Sequence, residues 1–238
     1  AQDGPADPAT VAALAGCSRV EQLTLALTLD PDRAGGVRSL APLGEMAVLK
    51  EWNLTCTGPG GAVFADLLAG IDGMVSLRRL HLGGTAINDA LLAACPPLTG
   101  VEHLRLQGVD VGDAALVRLA DALDVQDLVV TSAPRLDGSA LVGLCAIPTL
   151  RSLTFDRVAV TEANFLKLAN PGALERLDIR NTPVFTAASV DRVASWTRRP
   201  RVSLDEKLLD DATRKRLREL SDAAIPGLGY ATAEANDF

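Results

Sequence analysis

Aromatic residues are scarce in this chain: two Trp, one Tyr and five Phe among 238 residues. Hydrophobic residues still make up 48%, so a sizeable core can form, and it must be aliphatic. Histidine occurs only twice. The four cysteines, at 17, 56, 95 and 145, lie far apart with no CxxC, which is neither a disulfide framework nor a zinc pattern. No stretch of 18 or more apolar residues is present, so no helical membrane span is expected. Net charge is -7, and phosphate neutralisation needs a basic face, so a general nucleic-acid binder is not expected. There is no G-x-S-x-G elbow, HExxH pair, phosphate loop or Cys/His motif, so neither an enzyme nor a cofactor is expected.

The opening "AQDGPADPAT" is polar, and Ala-Gln is a plausible first pair after removal of a signal peptide. That favours an exported protein, periplasmic or extracellular, over a cytoplasmic one; a trimmed boundary is the alternative. Alanine- and arginine-rich usage hints at a GC-rich bacterium.

What the chain does have is a recurring pattern. Apolar residues at 0, +3 and +5 occur at Val20-Leu23-Leu25, Leu49-Trp52-Leu54, Leu77-Leu80-Leu82, Val101-Leu104-Leu106, Val125-Leu128-Val130, Leu150-Leu153-Phe155 and Leu174-Leu177-Ile179. The anchors are 29, 28, 24, 24, 25 and 24 residues apart. A degraded eighth copy has Arg199 at the anchor and keeps Val202 and Leu204. The columns nine, six and three residues before the anchors are apolar or proline at all 24 positions. Positions +3 and +5 lie on one side of a strand. Positions -9 and -6 lie on one face of a helix. Each copy is therefore a strand, a turn and a helix, and copies must stack to bury their apolar faces.

The frame L-x-x-L-x-L in "LRRLHL", "VEHLRL", "LRSLTF" and "LERLDI" resembles the leucine-rich repeat family. The segment "LHLGGTAINDALLAAC" resembles the bacterial variant with a G-T-x-I-x-D-x-x-L run. The resemblance covers roughly residues 10–205. It implies an α/β solenoid of horseshoe form with about eight repeats, a parallel sheet on the concave side and helices on the convex side. It departs from the family eight residues after the anchor, where Asn or Cys is common. Here that column holds Thr28, Thr57, Thr85, Val109, Ala133, Val158 and Thr182. Val and Ala cannot bond neighbouring backbone, so loop groups in the middle repeats must find other partners.

The expected organisation is an N-terminal segment and capping helix over 1–19, repeats over 20–205, a capping helix over 206–224 and a tail over 225–238. In the cap, Leu209, Leu217 and Leu220 would cover the last repeat while Arg214, Lys215 and Arg218 stay solvated. The tail, with the only tyrosine, Tyr230, would pack along the cap or dock on a partner. Length variation falls after the strands, giving two enlarged loops at 26–36 and 55–61, which form a rim near the N-terminal end.

Positions +2, +4 and +6 point away from the core. Both histidines fall on this surface, His81 and His103, with Arg79 and Arg105 around them and Glu51 and Asp127 flanking. In an acidic chain this is a local cationic cluster suited to carboxylates, because arginine forks bind them bidentately. A shared metal between His81, His103 and Asp127 is a thin constellation, with the histidine Cα atoms about 8 Å apart. Among the cysteines only Cys56, in an enlarged loop, reads as an exposed thiol; the rest read as small hydrophobes.

The sequence thus points to a non-enzymatic scaffold that binds a partner protein through an acidic segment. The contact residues would be Glu51, Arg79, His81, His103, Arg105 and Asp127. That function follows from the family resemblance rather than from the residues alone. The alternative is a structural or self-assembling bacterial envelope or extracellular subunit.

Overall fold

Strands form where apolar residues alternate, and helices where they recur three apart. A computed structural model describes residues 7–30, 32, 36–59, 62–97, 100–122, 125–182, 185–197, 200–204, 209–222 and 228–230. The chain divides into two compact units, Ala1–Val125 and Gln126–Phe238. The division falls inside the stretch expected to be repeats.

In the first unit, helix α1 (Pro8–Ala15) precedes strand β1 (Gln22–Thr28). A 3-10 segment (Ala41–Glu45), strand β2 (Glu51–Thr57) and a second 3-10 segment (Ala62–Leu68) follow. Strand β3 (Arg79–Gly83), helix α2 (Asp89–Ala93), strand β4 (His103–Gln107) and helix α3 (Asp113–Ala122) complete it. The strands pair in chain order, all parallel and in register, so that Leu25, Leu54, Leu82 and Leu106 form one row. The second unit carries β5 (Asp127–Thr131), α4 (Ala140–Ala146), β6 (Ser152–Asp156), α5 (Glu162–Leu166) and β7 (Arg176–Arg180). It ends with α6 (Ala187–Ala194), β8 (Arg201–Leu204), α7 (Asp211–Asp222) and β9 (Leu228–Tyr230). Its strands also pair in parallel and in chain order.

The predicted core columns are the core. Leu54, Leu82, Leu106, Leu128, Leu153 and Leu177 are all shut off from solvent. So are Leu40, Leu43, Leu116, Leu141, Leu144 and Val190 from the helical columns. Two members of the column three before the anchor are exceptions: Cys17 and Ala122 are exposed.

Two of the expected helices are 3-10 segments. Pro42 opens the first, and a close backbone contact narrows it. A Cβ at Gly44 would stand 2.4 Å from the carbonyl oxygen of Gly70. The tighter 3-10 winding suits so close an approach. The enlarged loops also start later than the spacing suggested, because β1 and β2 run seven residues and absorb 26–28 and 55–57. The longer β2 turns Trp52, Leu54 and Cys56 inward together.

At the strand exits a left-handed turn recurs seven residues after five of the anchors, Leu77, Val101, Val125, Leu150 and Leu174. Gly84 and Gly108 have φ of 92° and 63°, and Ser132, Arg157 and Asn181 have φ of 54°, 53° and 50°. The amides of Gly84, Ser132 and Arg157 donate to the last carbonyl of the following strand, on Gln107, Asp156 and Arg180, at 2.9–3.0 Å. Twelve residues after the anchor a second ladder ties copy to copy. Asp89 accepts from the Gly112 amide at 2.7 Å. The Asp137 carbonyl accepts from the Thr161 amide at 3.0 Å and from Asn164 Nδ2 at 3.1 Å. Glu162 accepts from the Thr186 amide and hydroxyl and from Ser189 Oγ. These supply the loop partners that Val109, Ala133 and Val158 cannot; all three are buried and apolar.

The C-terminal helix α7 buries Thr213 and Leu217, and Leu209 just before it is buried as well; the side chain of Leu220 lies outside the described residues. Arg214 is less solvated than expected: its guanidinium donates to the Leu209 carbonyl at 2.8 and 3.0 Å. Arg216 joins α7 to Asp191 of α6 at 2.7 Å. Of the tail, Leu228–Tyr230 runs beside β8; 225–227 and 231–238 lie outside the described residues. No described helix is long and apolar enough to cross a membrane.

Cys56 is fully buried, and burial pushes its thiol, like those of Cys95 and Cys145, up to about 12. The expected exposed thiol is therefore Cys17 instead. Under native, mildly alkaline conditions a disulfide reagent should label Cys17 quickly and the other three only after denaturation; fast labelling of Cys56 would contradict this packing. Left-handed backbone costs a non-glycine residue roughly 1–2 kcal/mol, part of which glycine returns through its looser unfolded state. Arg157→Gly should therefore raise stability by about 1 kcal/mol in denaturant titration; a lower midpoint would show the turn unstrained.

Candidate functional site

Side chains alternate along a strand, so Glu51, Arg79, His81, His103 and Arg105 stand on the face opposite the core. Pairing sets Gln22, Glu51, Arg79 and His103 in one row and Thr24, Asn53, His81 and Arg105 in the next. Arg79 is in register with His103, and His81 with Arg105. The four make a square two strands wide, with the arginines on one diagonal. Strand spacing of about 4.8 Å brings all four within reach of one ligand segment.

Glu51 borders the square. Its Oε2 lies 3.7 Å from Arg79 Nη1, and its Oε1 accepts from Asn53 Nδ2 at 3.3 Å. The Arg79 side chain is 62% exposed, whereas His81, His103 and Arg105 are half-buried. Five of the six expected contact residues thus lie on the face of the first unit. The sixth, Asp127, heads β5 in the second unit and is half-buried.

The electrostatics differ from the expectation at one residue. Burial lowers the pKa of His81, and the nearby Arg105 guanidinium lowers it further. Near neutrality His81 is an uncharged imidazole. Neither His81 Nε2 nor Arg105 Nε, both buried, has a hydrogen-bond partner. A buried donor without a partner costs roughly 1–3 kcal/mol, a cost that the Arg105 Nε carries here. Gly83 borders the ring: a Cβ at 83 would meet His81 Nε2 at an ordinary 3.8 Å, while the tight approach is to Thr55 Oγ1, at 3.3 Å.

Asn53 and Gly83 are the site residues that sequence reasoning missed. Asn53 was visible in the +4 row beside His81, and Gly83 in the Gly-Gly pair after the strand. The arrangement can bind carboxylates and backbone carbonyls through guanidinium forks and an imidazole. Among the described residues no group of three His, Cys, Asp or Glu could hold a metal ion.

The sign of the pH effect follows from the neutral imidazole. The unfolded chain takes up the proton at the ordinary value near 6.5, above the folded value. The stabilising contribution is whole above that pH and is lost as the pH falls below it. In an NMR titration the His81 ring should have its midpoint below 6.5, and Arg105→Ala should move it upward. A midpoint at or above the ordinary value would refute the burial. No family model matches the chain, and no curated protein matches it.

Proposed function

We propose that the chain is a leucine-rich-repeat scaffold without catalytic activity, and that it grips an acidic segment of a partner protein on its strand-lined face. The observation that carries this reading is the square of Arg79, His81, His103 and Arg105 on adjacent in-register strands. The repeat reading is supported by the spacing of the anchors and by parallel, chain-ordered pairing within each unit.

A chain of net charge -7 repels acidic partners at long range, so a cationic square acts locally. It selects a segment whose carboxylates meet the two guanidiniums. The Arg79–Glu51 contact is exposed and long, and such pairs contribute about 0–1 kcal/mol. Arg79 can therefore exchange Glu51 for an incoming carboxylate at little cost. Glu51 discourages a segment that carries acids beyond the square on its side. The scarcity of aromatics makes for a polar contact without large anchors, whose affinity falls as salt rises.

Fluorescence anisotropy with a glutamate-rich peptide tests this. The Arg79→Glu, Arg105→Glu double variant should bind at least about tenfold more weakly, or about 1.4 kcal/mol, and added salt should weaken the parent. Equal affinity in parent and variant would remove the square from the contact surface.

A further inference from the structure

We propose that the second unit carries a separate anion site, built on Arg176 and Arg201, that takes a phosphate-class dianion. The two arginines are in register on β7 and β8 and both are exposed. With Ser152, Arg151, Glu175 and Asp127 they line a groove of about 240 Å³. Ser152 stands in the same row, in register with Arg176 on β6.

Like charges directly opposite each other on paired strands destabilise the sheet. The neighbouring carboxylates do not relieve this pair. Asp178, two residues along β7 on the same face, is nearly buried and bound to Arg180 Nη2 at 3.0 Å. Glu175 faces Arg151 at 4.0 Å. Asp127, at the far end of the groove, already has an interaction of its own. No described acid lies within ion-pair distance of Arg176 or Arg201. Arg151, third of the groove's arginines, spends Nη1 on the carbonyls of Pro148 and Ala173.

Two uncompensated guanidiniums side by side call for an anion of two charges. A carboxylate compensates one of them. A phosphoryl group carries close to two charges near neutrality and three acceptor oxygens, enough to accept from both forks and from the Ser152 hydroxyl. The groove is shallow and polar, which suits a small tetrahedral group rather than an apolar ligand. The site uses none of the residues of the proposed acidic-segment square, so either can fail without the other.

Isothermal titration and thermal melts at constant ionic strength test it, with inorganic phosphate and phenyl phosphate as probes and chloride and acetate as controls. Phosphate should bind and raise the melting midpoint, and chloride and acetate should not. Arg176→Gln with Arg201→Gln should weaken phosphate binding at least about tenfold. Arg118→Gln with Lys215→Gln, an equal loss of charge at exposed helical positions, should leave it intact. In chloride the Arg176/Arg201 variant should melt no lower than the parent, because opposed charges have been removed. If it does not fold, Arg201→Lys, which keeps the charge and loses the fork, should show the weakened binding instead. Phenyl phosphate binding beside inorganic phosphate would mark a phosphoryl group borne on a larger molecule, and inorganic phosphate alone a free ion; either result upholds the site. Equal stabilisation by chloride, or parent-like affinity in the folded variant, would overturn it.

Discussion

The structure depends on one constraint: no copy of the repeat can satisfy its own strand. A lone strand leaves a row of amides and carbonyls unpaired and an apolar pair uncovered, and each group must be met by the next copy. In-register parallel pairing does both at once. It places Leu54 beside Leu82 and Leu82 beside Leu106 in the first unit, and Leu153 beside Leu177 in the second. A shift of one residue would turn every such side chain to the other face, so the hydrophobic columns and the hydrogen bonds enforce the same register.

That constraint extends into the loops. A strand that ends must turn toward its helix without leaving its last amide unpaired, and the left-handed residue seven after the anchor achieves this. Where the residue is Gly84 the geometry is free of strain, and nothing else fits: a Cβ there would stand 2.1 Å from the Cys56 carbonyl oxygen. Where it is Ser132, Arg157 or Asn181 the turn is kept at a cost. Asn181 offsets part of that cost by donating to Asp156 at 2.7 Å. Twelve residues after the anchor, the Asp89 and Glu162 carboxylates and the Asp137 backbone carbonyl then tie three of the copies to the next. They accept hydrogen bonds from amides and side chains at or near helix starts. On the opposite margin of the strands, Glu21–Lys50, Arg78–Glu102 and Arg151–Glu175 pair neighbouring copies. These pairs are exposed and add little stability, but they disfavour a wrong register.

The strands were legible because alternation and a fixed period report directly on burial. Leu80, Leu104 and Leu153 are in the core as their spacing required. The return segments were legible as apolar columns but not as helix type: a 3-10 segment and an α-helix share the three-residue spacing, and what separates them at Ala41–Glu45 is a backbone contact at Gly44 that only three dimensions reveal. Cys56 was misplaced because strand length is set by the partner strand, and β2 runs two residues beyond the shorter strands of later copies. Within each unit the +2 and +4 rows of the outward face were readable, including all four residues of the square. The charge state of His81 was not, because desolvation depends on how deeply a ring sits between its neighbours. The ladder twelve residues after the anchor was hidden for a different reason: Asp89, Asp137 and Glu162 are ordinary loop residues until the amides that donate to them are known.

The division between the two faces explains where function can reside. Inward positions are so tightly specified by packing and register that they carry little freedom to vary. Outward positions are held by the same backbone at fixed spacing, yet their side chains owe nothing to the core. A rigid grid with free side chains suits recognition, because ligand groups meet preorganised partners and little entropy is lost on binding. Arginine charge on such a grid stands out at two places. One is the square around Arg79 and Arg105 in the first unit; the other is the opposed pair Arg176 and Arg201 in the second. The arginines at the strand margins are paired with acids of neighbouring copies, whereas Arg176 and Arg201 on the outward face are not, among the described residues, and that difference is what the two proposals rest on.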